Sequence, residues 1–302
     1  MIRLIRSELL KLRTTHMWWI FLVCSVAFTG LALLINTAQA DDELSNGYYG
    51  PDGNNDQVGP DGQFDATAAE QQRQASIAAA HSAVRLAKSA ANIYTSGQFF
   101  GLLMVMLVAI LLITNEFYHQ TATATFLATP KRTRVIVAKL LTASLMAVGF
   151  WLVSTVISVI VGTIFFSAEG VGNSLGNWTA QQSVLLNLLV YALWGIFGIG
   201  VGVLLRSQIG ATITAAVLYT IGTYAAIAVL ALIHEYLIKE DWVFEAAIYI
   251  PPLASEHVVG SLDGQLGDTD LPARWVGVVV LVGWALALGT IGTLITRKRD
   301  IA

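Results

Sequence analysis

Apolar and polar residues occur in long alternating blocks along the chain. Six apolar blocks are near the length of about 20 residues that a helix needs to cross a bilayer. They comprise residues 18–36, 97–114, 140–166, 182–205, 209–233 and 275–296. Because every backbone hydrogen bond must be satisfied within lipid, such blocks predict helices. The pattern therefore predicts an all-α polytopic membrane protein, with six transmembrane helices in a single transmembrane domain over residues 1–302.

The segment before the first block, residues 1–16, is amphipathic. Aliphatic side chains share one helical face: Ile2, Ile5, Leu9 and Leu12. Cations surround the other faces: Arg3, Arg6, Lys11 and Arg13. We expect an N-terminal interface helix whose cations lie near anionic lipid headgroups. The same cations could instead act only as a topology signal.

The first apolar block could also belong to a cleaved signal peptide, because Ala38-Gln39-Ala40 resembles a cleavage site. However, its apolar run and its basic preface are both longer than such peptides usually have. A retained membrane anchor is therefore the expected outcome.

A polar insertion, residues 37–96, follows the first block. Its first half contains Gly-Pro-Asp-Gly at 50–53 and again at 59–62, which predicts tandem turns or disorder. Asp52, Asn54 and Asp56 have the spacing that opens a calcium-binding loop, but the Gly and the closing Glu of such a loop are missing. The alanine-rich residues 66–94 predict a helix on the outer mouth of the membrane domain, with positions 77, 84 and 91 one heptad apart.

Lysine and arginine cluster on one side of the predicted membrane. Twelve of the 17 lie in residues 1–16, 115–139, 206 and 297–299, whereas 17 of the 20 acidic residues lie in the segments on the other side. Loops rich in lysine and arginine stay in the cytoplasm. Both termini and the loop 115–139 are therefore predicted to be cytoplasmic. The insertion 37–96 and residues 234–274, an amphipathic or re-entrant region, are predicted to be external.

Composition and missing motifs narrow the function classes. Hydrophobic residues make up 55% of the chain and charged residues 12%, and the single cysteine lies in an apolar block. The sequence contains no P-loop, no His-Glu-x-x-His and no Gly-x-Ser-x-Gly. We expect no catalytic residue, no metal site and no nucleic-acid partner. The apolar blocks hold almost no ionisable residue, which disfavours ion-coupled transport because such transporters bind the driving ion with intramembrane carboxylates.

The loop 115–139 is the most organised cytoplasmic segment. Glu116 lies at its membrane edge, and residues 121–127 predict a short helix parallel to the membrane that ends near Pro130. Phe126 and Leu127 would be the apolar contacts of this helix. Three cations would hold a partner electrostatically: Lys131, Arg132 and Arg134. Alternatively, the loop only fixes the topology.

The fourth and fifth blocks carry small and hydroxyl-bearing residues. The glycines of the fourth block, Gly195, Gly198, Gly200 and Gly202, predict close helix packing. Hydroxyl side chains of the fifth block fall mostly on one face: Thr212, Tyr219, Thr220, Thr223 and Tyr224. Because hydroxyl groups are poorly placed against lipid, this face is expected to line a translocation path or to bond to neighbouring helices.

Three segments carry a resemblance to a known family: SELLKLR at 7–13, the stretch 116–139 with FLATPKR at 126–132, and Arg299-Asp300. They resemble the ABC-2 type permease family, in versions common in actinobacteria. The resemblance implies the fold of type V ABC exporters, with an interface helix, six spans, a cytoplasmic coupling helix and short re-entrant helices before the sixth span. The chain departs from the family at Gln120, where many relatives have Gly, and in its long insertion 37–96.

The resemblance also implies residue roles and partners. Coupling to an ATPase would involve Glu116, Thr121, Thr125, Phe126, Leu127, Pro130, Lys131 and Arg132. The translocation path would involve Phe99, Phe100, Tyr219, Thr220, Thr223 and Tyr224. Two permease units, identical or paralogous, would assemble with two separate P-loop ATPase subunits in the lipid bilayer. ATP and Mg²⁺ would bind to those partner subunits, and this chain would hold no cofactor.

These features together favour a permease subunit of an ABC transporter in a bacterial cytoplasmic membrane. It would export an amphiphilic small molecule, drug, peptide or lipid with ATP hydrolysed by the partner. Two other functions stay open. The chain could be a non-transporting scaffold or sensor whose external loop binds a ligand, or an ion-coupled secondary transporter.

Overall fold

The computed structural model describes residues 2–14, 17–47, 66–118, 132–205, 207–262 and 271–298. Within these ranges the chain forms helices and connecting turns, without a β-strand. The α-helices are α1 (Ile2–Thr14), α2 (Met17–Asn46), α3 (Ala66–Ala80), α4 (Ala83–Tyr94), α5 (Gln98–Tyr118), α6 (Arg132–Ala168), α7 (Trp178–Leu205), α8 (Gln208–Tyr236), α9 (Pro251–Val259) and α10 (Trp275–Lys298). A 3₁₀ helix, Asp241–Tyr249, lies between α8 and α9.

Several of these helices match the dimensions of a bilayer. In the described part of the chain, 5 helical segments are long and apolar enough to cross a membrane: Met17–Asn46, Ala83–Glu116, Arg134–Ala168, Trp178–Leu205 and Gln208–Tyr236. A shorter apolar helix covers Trp275–Ile291. The all-α architecture and the repeated long apolar helices fit the predicted polytopic membrane protein.

The first long helix differs from its prediction at its C-terminal end. The apolar pattern predicts a span that ends at residue 36, but α2 continues to Asn46. Ala40 and Leu44 are buried along this extension, four residues apart on one helical face. Ala40 belongs to an apolar cluster that includes Ala90 and Ile93 of α4. Packing against α4 therefore explains why α2 continues past residue 36, although the polar residues of this segment suggest a loop.

The alanine-rich segment forms two helices rather than one. The break falls at residues 81–82, where the side chain of Ser82 caps α4 by accepting a hydrogen bond from the backbone N–H of Arg85. Val84, one member of the predicted heptad contact, is 69% exposed, so this part of the prediction is wrong. The buried face of α4 consists of Ala87, Ala90, Ala91, Ile93 and Tyr94. The tandem repeat at residues 50–65 lies outside the described residues.

Helix α7 is the centre of the bundle and packs against α5, α6 and α10. Its glycines face these neighbours in turn. A Cβ atom at Gly198 would lie 2.4 Å from the Met106 carbonyl oxygen of α5. A Cβ at Gly195 would lie 2.8 Å from the Ala143 carbonyl oxygen of α6, and one at Gly200 would lie 2.8 Å from Cβ of Leu288 on α10. The predicted role of these glycines in close packing is confirmed.

We expect Gly198→Ala to destabilise the protein by about 1–3 kcal/mol, because the new methyl group must push α5 away from α7. Gly283→Ala is the matched control, since a Cβ at Gly283 on α10 meets no atom within 4 Å. The control should be neutral or gain up to about 1 kcal/mol from helix propensity. Denaturant unfolding of the purified variants measures both changes. Equal stabilities would contradict the close approach of α5 and α7.

Candidate functional site

Four charged side chains from three helices meet at one end of the bundle. Glu8 and Lys11 lie on α1, Glu116 lies near the end of α5, and Lys139 lies near the start of α6. The Lys139 ammonium donates to Glu8 Oε2 at 2.7 Å and lies 2.7 Å from Glu116 Oε1. The Lys11 ammonium donates to Glu8 Oε1 and to Glu116 Oε1, each at 2.7 Å. We call these four residues the charge network.

Most of the charge network is removed from water. Lys139 is 1% exposed, Glu8 3% and Glu116 5%, whereas the side chain of Lys11 is 46% exposed. Isolated charges are costly at such burial, but here two ammonium and two carboxylate groups compensate one another. The network is therefore neutral as a unit, and the loss of one of its three buried members would leave an uncompensated buried charge.

Electrostatics within the charge network favour the ionised forms of Glu8 and Lys11. Burial alone raises the pKa of Glu8, but the charge of Lys139 and hydrogen bonds from Lys11 and Lys139 outweigh it, so this pKa is lowered from 4.5. Burial lowers the pKa of Lys11, but hydrogen bonds to Glu116 and Glu8 outweigh it, so this pKa is raised from 10.5. The stabilisation by Glu8 is present above pH 4.5 and lost as pH falls through its lowered pKa. The stabilisation by Lys11 is present below pH 10.5 and is lost as pH rises through its raised pKa.

Local sequence explains how each helix contributes to the charge network. Glu8 and Lys11 are three residues apart, so they share a face of α1. Lys139 follows the buried residues Val135, Ile136 and Ala138 on α6. Helix α1 packs against α6, and α5 also packs against α6. Packing of the apolar faces thus brings together charges that are as far as 131 positions apart in the sequence.

The structure describes some of the predicted coupling residues but not others. Glu116 is buried in the charge network. The backbone of Arg132 begins α6, and Arg134 is exposed on the same helix. Thr121, Thr125, Phe126, Leu127, Pro130 and Lys131 lie outside the described residues. The structure thus describes both ends of the predicted coupling loop, where Glu116 and Lys139 contact each other directly.

The cations of the predicted interface helix have different surroundings. Lys11 belongs to the charge network, whereas Arg6 and Arg13 are exposed. Arg3 lies in the described backbone of α1. Only Lys11 among the predicted cations of this helix therefore connects it to the rest of the bundle through a described ion pair.

A second polar and aromatic cluster lies at the opposite end of α5. The Tyr219 hydroxyl donates to the Phe99 carbonyl oxygen at 2.6 Å, and the two rings are 4.8 Å apart between centroids. Gln98 donates through Nε2 to the Ser255 carbonyl oxygen at 3.2 Å, and Trp194 donates through Nε1 to Ser255 Oγ at 2.8 Å. These contacts connect α5, α7, α8 and α9, and we call this the outer cluster, after the external side that the sequence predicts for this end.

Only some of the predicted path residues lie in the outer cluster. Phe99 lies 6.2 Å from Tyr224 between ring centroids, but Tyr224 is 64% exposed. Phe100 instead stacks on Phe28 of α2 at 4.3 Å. The hydroxyl groups of Thr220 and Thr223 donate to the carbonyl oxygens of residues 216 and 219 in their own helix. The hydroxyl hydrogens of both threonines thus bond within α8 itself.

Glu256 of α9 is a further ionisable group beside the outer cluster. Burial raises its pKa to about 7. Its carboxyl group acts electrostatically on Tyr219. The described residues include no group of three or more His, Cys, Asp or Glu side chains that could hold a metal ion. The raised pKa makes Glu256 a candidate for proton binding near neutral pH.

Sequence reasoning did not assign a site role to Glu8, Ser255 or Glu256, and it treated Lys139 only as part of the loop 115–139. Two signals were available. Glu8 is the only acidic residue among the cations of residues 1–16, and Lys139 is followed directly by an apolar block. Neither signal identifies the partner of the charge. Ser255 and Glu256 lie in a segment whose sequence carries no marker of burial.

Comparison with known proteins finds a matching family model. Residues 72–302 match a family whose description reads "Protein of unknown function (DUF2705)". The match includes Glu116 and Lys139 and the whole outer cluster, but not α1. No curated protein matches the chain.

We expect Lys139→Met to destabilise the protein by about 3–5 kcal/mol, because it leaves two buried carboxylates without their most buried partner. Lys11→Met should cost about 1 kcal/mol or less, since that side chain is half-exposed. Arg134→Met on the exposed face of α6 is the control and should lie within about 0.5 kcal/mol of the wild type. Chemical unfolding in detergent measures the series. A cost for Lys139→Met no larger than for Arg134→Met would show that the network contributes little.

Glu256 should make the stability depend on pH near neutrality. Its folded-state pKa of about 7 lies above the ordinary 4.5, so the folded protein retains a proton that the unfolded chain releases between these values. Stability should therefore fall as pH rises from 4.5 to 7. Glu256→Gln cannot ionise, and it should be more stable than the wild type at about pH 8, by on the order of 3 kcal/mol.

Unfolding of wild type and Glu256→Gln across this pH range tests the expectation. Glu169→Gln, at an exposed acid between α6 and α7, is the control and should retain the wild-type pH profile. Parallel pH profiles for wild type and Glu256→Gln would refute a buried, proton-binding carboxyl group.

Proposed function

The chain belongs to the DUF2705 family, and we propose that it is the permease subunit of an ABC-2 type transporter, driven by ATP hydrolysed on a separate subunit. Its helices α2, α5, α6, α7, α8 and α10 would be the six spans in a bacterial cytoplasmic membrane. Both termini and the loop 115–139 would be cytoplasmic, and residues 37–96 and 234–274 external. The concentration of Lys and Arg in the proposed cytoplasmic segments supports this orientation.

The observation that carries the proposal is the charge network at the base of the loop 115–139. Glu116 lies at the start of the loop and Lys139 at its end, and these residues contact each other and α1. A force on the loop must therefore move the ends of α5 and α6 together, or separate paired charges that are buried. In either case, a force that the partner exerts on the loop moves the membrane helices.

Helix α5 can carry such a movement across the bundle. It runs from Gln98 in the outer cluster to Glu116 in the charge network as one continuous helix. Phe99, Tyr219 and the α9 contact of Gln98 lie at the far end. In the proposed mechanism, a tilt of α5 that begins at Glu116 rearranges the outer cluster and changes access for an amphiphilic cargo.

The energy for this change must come from the partner. A partner can shift the helices only if it binds the loop more tightly in one arrangement than in the other. P-loop ATPase subunits meet this need because nucleotide binding and hydrolysis alternate their shape. This chain would then supply the loop, the hinge formed by the charge network and the path, while ATP and Mg²⁺ stay on the partner. A second permease copy or paralogue would complete the assembly.

The proposal is tested by purifying the tagged chain from its native membranes and identifying co-purified proteins by quantitative mass spectrometry. We expect a P-loop ATPase in stoichiometric amount. Leu127→Asp should lose the ATPase, because a charge replaces an apolar contact of the predicted coupling helix. The matched control is Leu175→Asp, an exposed site in the link between α6 and α7. It should retain the ATPase.

Each outcome bears on a different part of the proposal. Absence of a stoichiometric ATPase from the wild type would refute the permease function and favour a scaffold or sensor. Retention of the ATPase by Leu127→Asp would refute the coupling role of the loop alone. Both variants must insert with the yield and the size-exclusion profile of the wild type for the comparison to count.

A further inference from the structure

An apolar groove opens between α1, α2 and α6, beside the charge network. It has a volume of about 400 Å³. Leu9 and Leu12 of α1, Trp18 of α2, and Gly149 and Phe150 of α6 are among the residues that line it. Gly149 leaves the groove open, since a Cβ atom at this position would meet no atom within 4 Å. The space is therefore wide enough for an added side chain or for a bound apolar chain.

One charged residue, Arg13, is among the described residues that line this groove. It is exposed, and it forms no ion pair within the described part of the chain. A guanidinium group offers paired donors that match phosphate oxygens. Trp18 also lines the groove, and tryptophan side chains favour the headgroup level of a bilayer. The groove thus combines an apolar channel with a cation suited to phosphate.

We propose that this groove binds one anionic phospholipid from the leaflet that contains α1. One acyl chain lies along Leu12, Gly149 and Phe150, and the phosphate group accepts hydrogen bonds from Arg13. Because Leu9, Leu12 and Arg13 are on the same helix as Glu8 and Lys11, a bound lipid holds α1 against α6 and supports the charge network. The inference does not depend on the proposed transport function.

A second groove provides an internal comparison. It has a volume of about 470 Å³ and lies between α6, α7 and α10, where Leu193, Leu286 and Gly289 are among its lining residues. No charged residue occurs among its described lining residues. A lipid chain in this second groove would meet no cation among the described lining residues. Of the two grooves as described, the α1 groove is therefore the one expected to prefer an anionic headgroup.

The test uses the full chain in nanodiscs of phosphatidylcholine that contain a small fraction of lipid with brominated acyl chains. Bromine quenches nearby tryptophan fluorescence, and the difference between each protein and its Trp18→Phe counterpart isolates quenching at the groove. We expect brominated phosphatidylglycerol to occupy the groove about five-fold more strongly than brominated phosphatidylcholine, as one cation near the surface predicts. Arg13→Gln should abolish this preference. Arg6→Gln, an exposed cation of α1 outside the groove lining, should retain it.

A second pair of variants tests the apolar part. Gly149→Leu should fill the groove and remove the Trp18-dependent quenching by both lipids. Gly289→Leu, at an equally open glycine of the second groove, should leave that quenching unchanged. Equal quenching by the two lipids in the wild type, or equal effects of Arg13→Gln and Arg6→Gln, would overturn the proposal. Unchanged quenching in Gly149→Leu would also overturn the proposal. Absence of quenching in the wild type would do the same, and it is the result expected if a protein segment fills the groove.

Discussion

The arrangement of one end of this molecule depends on the mutual compensation of four charges in a place with little water. Lys139 is almost completely buried, and its ammonium group lies 2.7 Å from carboxylates on two other helices. Such a group is tolerated only when its partners are in position. The position of α1 is therefore not that of a helix that merely rests on a membrane surface. Two of its side chains complete the electrostatic balance of α5 and α6.

Close packing around α7 allows the charges to meet. Gly198 brings α5 near α7, and Gly195 brings α6 near α7. With α5 and α6 both held against one helix, Glu116 and Lys139 come within contact distance. Small residues within the bundle and charges at its edge thus act together. Van der Waals packing sets the spacing of the helices, and at that spacing the charged groups are close enough to form ion pairs.

Helix α5 joins the two polar regions of the molecule. Glu116 lies at one end in the charge network, and Gln98 lies at the other end, bonded to α9. A helix with a continuous hydrogen-bond ladder is stiff, so a displacement of one end also moves the other end. This geometry suits a protein that passes a mechanical signal, and it gives the proposed permease function a physical route. The lipid proposed beside α1 would adjust how firmly one end of that route is held.

Much of the helical architecture follows from the sequence alone, because apolar runs and glycine spacing are local properties. The long apolar helices and the role of the α7 glycines were predictable for that reason. The burial of Lys139, the Glu8 contact and the raised pKa of Glu256 were not, and neither was the extension of α2 past residue 36. Each of these depends on residues from other helices, as far as 131 positions away. A one-dimensional pattern records which side chains are charged, but only tertiary packing decides which charges lose their water and which partners replace it.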